Sequence, residues 1–167
     1  MENKTKYLDL LEQQIQCVRE AGRKLMRLHL PLVYDSFEFG RLLDSHDRSK
    51  YTKEELEGYV SFYFPSENAE ERETDFKKFV MAHHHHIHNN PHHIEYWFGV
   101  HEEGGLTPLE IPDLHIVHIL ANWVGKCNFN QDNFKDWVDK YFHKFLIEEE
   151  TKKKLLECIK IILDAKI

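Results

Sequence analysis

Residues 7–28 read YLDLLEQQIQCVREAGRKLMRL, and the spacing of their apolar positions decides how the chain is to be taken. Leu11, Ile15, Val18 and Leu25 recur at intervals of three, four and seven. That spacing lines one stripe of a 3.6-residue helix, whereas a strand would alternate. Gly22 lies on the same stripe, where a missing side chain lets a neighbouring helix come close. His29 continues the stripe four residues beyond Leu25 and is expected to project inward at the helix end. Pro31 then limits regular helix about two residues upstream.

Outward from this segment the pattern stays helical. Residues 34–45 are less periodic, and 49–53 read as a connection. Thr52 followed by Glu55 is a capping-box signature, with Leu56, Tyr59, Val60 and Tyr63 on the turns that follow. Pro65 and Ser66-Glu67-Asn68 mark a break, and the charged stretch 67–78 reads as a solvated helical face. Asn90-Pro91 reads as a cap with proline at the first position of a new short helix that carries His92, His93, Tyr96 and Trp97. Gly99, Gly104 and Gly105 make residues 99–110 a loop. Further helices are expected from about Pro112 to Cys127, Gln131 to Leu146 and Glu148 to Ala165. With no repeat, no linker and little strand-like alternation, the expected fold is all-α, a single compact helical domain over residues 1–167.

Composition sets bounds on function. At 41% apolar and 31% charged the chain has the balance of a globular protein with its own core. A formal charge of −7 lacks the broad positive field of a general nucleic-acid binder, so bulk nucleic-acid binding is not expected. It leaves room for a nucleotide held by a few basic residues beside a metal. Cys17, Cys127 and Cys158 are an odd set without CxxC spacing, as in free thiols of a reducing compartment. No apolar run approaches the ~20 residues that span a bilayer, and Met1-Glu2-Asn3-Lys4 is no signal peptide. The expected location is the cytoplasm, or host cytosol for a viral gene; homo-oligomerisation is left open.

Three groups of residues carry candidate chemistry. His46-Asp47 offers nitrogen and oxygen to one hard or borderline cation, with Lys50 at hand to bind phosphate oxygen. The opposing reading makes Asp47 a helix cap and leaves Lys50 solvated. The run His83-His84-His85-His86 cannot face one way on a helix; His86 and Asn90, four apart, can point together. His92 and His93 are either site residues or buried histidines hydrogen-bonded near Tyr96 and Trp97. On the helix around 111–124, His115, His118 and Asn122 form a polar stripe amid apolar surface. A buried polar stripe needs partners, whether a metal, water or side chains.

The order His29-Leu30-Pro31-Leu32-Val33, His46-Asp47-Arg48-Ser49-Lys50, Glu54-Glu55, Tyr59 and Asn90-Pro91-His92-His93 with Tyr96-Trp97 resembles an uncharacterised bacterial and phage family, domain of unknown function 5662. That family in turn resembles compact members of the HD-domain metal phosphohydrolases. The resemblance implies a helical HD-like core and a divalent metal: manganese, iron, cobalt, nickel or zinc before magnesium. It implies His29, His46 and Asp47 as ligands, Asn122 or His118 completing the shell, and His86 or His92 serving a second metal or phosphate. Asp47 would also orient water, Lys50 would neutralise phosphate, and a histidine among 86, 92 and 93 would protonate the leaving oxygen. The implied substrate is a small phosphorylated molecule of the nucleotide kind. One departure stands out: His118 and Asn122 occupy positions where the family carries an acidic residue and the aspartate of an Asp-Trp pair. An amide oxygen brings no charge, and this opens the alternative of a non-catalytic, metal-stabilised ligand-binding or host-interaction module.

Overall fold

Apolar periodicity and helix coincide along most of the chain in the computed structural model, which describes residues 2–128 and 130–165. Among these residues seven α-helices account for the architecture, with a single short hairpin, so the fold is all-α. The chain forms two compact units, each built from separated segments: Met1–Ile15 with Asp47–Asn90, and Gln16–His46 with Pro91–Ile167. No change of composition announces that division, and one sequence boundary falls at the His46–Asp47 peptide bond.

In the first unit, the start of α1 (Glu2–Leu25) joins a 3-10 turn (Arg48–Tyr51), α3 (Lys53–Tyr63) and α4 (Ala69–Asn89). Its core is Tyr7, Leu11, Ile15, Tyr59 and Ala82, with the Tyr7 and Tyr59 rings stacked at 6.2 Å. The α3–α4 crossing is close because Gly58 has no side chain: a Cβ there would lie 2.5 Å from the Ala82 Cβ and 2.6 Å from the Lys78 carbonyl oxygen. Asn68 caps α4 by accepting from the Glu70 and Glu71 N–H groups. The charged stretch that follows is exposed as expected, except for Asp75, which is buried and accepts from the Ser66 N–H and hydroxyl.

In the second unit, the rest of α1 packs with α2 (Ser36–Ser45), α5 (Asp113–Lys126), α6 (Gln131–Tyr141) and α7 (Glu149–Asp164). The core draws Val18 and Leu25 from α1, Phe39 and Leu43 from α2, and Leu155, Ile159 and Ile162 from α7. Every residue from Ile116 to Gly125 on α5 is buried. Gly22 behaves as its stripe position predicts, since a Cβ there would collide with the Leu43 side chain. The weakly periodic stretch 34–45 is helical because Asp35 caps it, accepting from the Phe37 and Glu38 N–H groups.

Three expectations are corrected. Asn90 does not open a helix; it ends α4, and the following 3-10 turn covers Ile94–Trp97. Its side chain explains the difference, donating to the His86 carbonyl 2.8 Å away. The loop at 99–110 contains an antiparallel hairpin, β1 (Phe98–Val100) with β2 (Leu106–Pro108), in the register Phe98↔Pro108. Strands of three residues are too short to display alternation. Thr52 precedes α3 without a side-chain capping bond; its hydroxyl donates to the Ser49 carbonyl, and Glu55 is buried instead of reaching back.

Candidate metal centre

The end of α2 delivers His46, the first histidine of the candidate centre. Arg19 donates to the Leu43 and Asp44 carbonyls at 3.2 and 2.9 Å, satisfying the helix C-terminus, and His46 follows as the C-cap. Pro91 turns the chain so that His92 is buried, and the Trp97 indole N–H holds that turn by donating to the Pro91 carbonyl at 2.9 Å. His118 comes from the buried stretch of α5. These three imidazoles, 2%, 2% and 3% exposed, meet.

Each offers a ring nitrogen, and the three nitrogens lie within 4.8 Å of one another. The His46 Nδ1 and His118 Nε2 atoms are 3.1 Å apart, and the His92 ring is centred 4.2 Å from His46 and 4.9 Å from His118. Two imidazole nitrogens at that distance share a proton or ligate one ion: metal–nitrogen bonds of about 2.0–2.1 Å at tetrahedral angles separate ligand nitrogens by roughly 3.3 Å. Asn122, one turn beyond His118, is 2% exposed, and its carboxamide oxygen has no hydrogen-bond partner among the described residues. Three converging nitrogen donors fit a borderline divalent ion.

The other candidates in this unit have different surroundings. His29 is exposed, because α1 ends at Leu25 and the chain continues through non-helical turns, so the 3.6-residue stripe never reaches it. This removes the inward position expected of it as a ligand. The His115 ring lies tilted against Trp97 at 5.2 Å, and burial lowers its imidazole below its ordinary pKa. Asp113 is spent on the Val33 N–H and the Lys154 ammonium. His93 is half-buried beside His92, with its Nδ1 3.9 Å from Glu95. Burial raises the Cys158 thiol to about 12, aided by the charges of Glu157 and Asp113, which leaves that thiol no use as a nucleophile.

Asp47, Lys50 and His86 belong to the first unit. Asp47 takes a left-handed conformation (φ 56°) at the head of the 3-10 turn, and its carboxylate receives the Lys50 ammonium at 2.7 Å. Lys50 is 8% exposed and lies over the Tyr59 ring, so it is neither solvated nor presented as an open phosphate ligand. His86 stands between carboxylates, its Nε2 3.2 Å from Asp47 and its Nδ1 2.9 Å from Glu55. Glu55 also receives His85 at 2.8 Å and the Ser49 hydroxyl at 3.0 Å, and Asn90 donates to that hydroxyl. Burial pushes the Glu55 carboxyl up, but hydrogen bonds from His86, His85 and Ser49, with the attraction of His86, hold it below its ordinary range. Burial, then the charges of Asp47 and Glu55, raise the Tyr59 phenol.

Glu55 is the residue that sequence reasoning missed. The signal was its spacing of four from Tyr59, which places it on the buried face of α3; the capping-box pattern with Thr52 masked it.

Fold and clusters together define a helical protein with buried histidine groups able to hold a metal ion. The chain belongs to the family of unknown function DUF5662, whose family model matches residues 3–164. No curated protein and no solved structure matches it.

Proposed function

We propose that His46, His92 and His118 hold a divalent transition ion and that the protein hydrolyses a small phosphate ester of the nucleotide kind. The observation that carries this reading is the convergence of three buried imidazole nitrogens within 4.8 Å. The likeness of the family, through the His46-Asp47 pair, to HD-domain metal phosphohydrolases suggests the reaction class. When bound, such an ion polarises a phosphoryl oxygen and acidifies water. The imidazoles would bind as neutral donors and leave the ion its full charge, and Asn122, if it turned its oxygen to the ion, would add no charge. The resulting positive centre favours an anionic ester. His93, whose ring lies beside His92 with its Nδ1 3.9 Å from Glu95, would carry the proton of the leaving oxygen.

The test is turnover of p-nitrophenyl phosphate, bis-p-nitrophenyl phosphate and a nucleotide panel by metal-loaded protein. His46→Ala and His118→Ala are expected to lower kcat by at least about 100-fold, with the helical circular-dichroism signal retained. No turnover by a loaded wild type removes hydrolysis. The near-complete burial of all three imidazoles favours a second reading, a closed structural metal site. That reading predicts that the ion raises Tm and that no substrate is turned over.

A further inference from the structure

The histidine run of α4 is only partly used by the networks above. His83 packs on Phe79 with its Nδ1 3.3 Å from the Tyr59 hydroxyl. His85 and His86 both bond Glu55. His84 and His88, one turn apart, remain on the exposed face, with ring centroids 4.2 Å apart. Residues four apart on a helix are neighbours across its surface, so these imidazoles address the same volume of solvent.

One detail goes beyond proximity. The His88 Nδ1 lies 2.8 Å from the His84 carbonyl oxygen. A carbonyl only accepts, so Nδ1 carries the proton and Nε2 of the neutral ring carries the lone pair. A ring nitrogen tied to a backbone carbonyl while its partner nitrogen is left free is the arrangement that metal-ligating histidines adopt, because it fixes the tautomer and the ring direction. The His84 ring has no hydrogen-bond partner among the described residues, so it can turn a nitrogen to the same ion.

We propose that His84 and His88 form a second metal site, a solvent-facing chelate for a borderline divalent ion such as Zn²⁺, Ni²⁺ or Cu²⁺. Two imidazoles leave the remaining positions to water, so the ion exchanges readily. The site is independent of the His46–His92–His118 centre and of any hydrolytic activity.

The test is isothermal titration of metal-free, untagged full-length protein with Zn²⁺. His84→Ala and His88→Ala alter exposed positions, and circular dichroism checks that their helix content is unchanged. A weak class of sites is expected in the wild type, weakened about 10-fold or more in each variant and retained in His83→Ala. Weak zinc binding that is the same in wild type, His84→Ala and His88→Ala overturns the proposal, as does its equal loss in His83→Ala. With His118→Ala titrated alongside, zinc binding that is alike in wild type and His118→Ala, the weak class being present in both, removes the buried centre and leaves this one standing.

Discussion

At the scale of single residues, Glu55 shows how a buried charge is tolerated: His85, His86 and Ser49 all turn toward it. Both oxygens are bonded, by His85 on one side and by His86 and Ser49 on the other. Glu55→Gln keeps the shape and removes the charge, and is expected to cost roughly 1–3 kcal/mol at neutral pH. The pH dependence follows from the direction of the shift. A carboxyl lowered in the folded state contributes fully above its ordinary value of 4.5 and loses that contribution as pH falls through the lower folded value. Urea unfolding of wild type and variant across a pH series should show a gap that narrows below that value. A gap independent of pH would contradict this account of Glu55.

At the scale of elements, two glycines separate rigid from yielding contacts. Gly58 faces the Lys78 carbonyl, which is backbone and cannot move aside without shifting α4. Gly58→Ala is expected to destabilise by about 1–3 kcal/mol. Gly22 faces the end of the Leu43 side chain, which can turn aside where backbone cannot, and alanine improves helix propensity by up to about 1 kcal/mol. Thermal unfolding of both variants should therefore rank Gly58→Ala well below Gly22→Ala, and the reverse order would show that side-chain rather than backbone crowding sets these costs. Helix ends also explain what could be read from sequence. The stripe of α1 and the burial of α5 were legible because periodicity is strong over many residues. His29 was misplaced because periodicity does not say where a helix stops, and Asn90 was misread because its amide caps the preceding turn rather than the next one.

At the scale of the whole molecule, part of the candidate site is legible from residue types: His46-Asp47, Asn90-Pro91-His92-His93 and the polar stripe of α5 mark its histidines, and the structure brings His46, His92 and His118 together. The apportioning of Asp47, Lys50 and His86 to a carboxylate network was not legible, because chain adjacency of His46 and Asp47 says nothing of which unit each side chain joins. No helix among the described residues is long and apolar enough to cross a membrane. The central claim is the buried ion, and the most direct measurement is metal content by elemental mass spectrometry. It should be made on untagged protein purified without a metal column and dialysed to strip exchangeable ions, with wild type beside His118→Ala. The account predicts a near-stoichiometric transition metal in the wild type and its loss in the variant. A wild type with no metal after reconstitution with manganese, iron and zinc, or a variant that holds as much as the wild type, would contradict it.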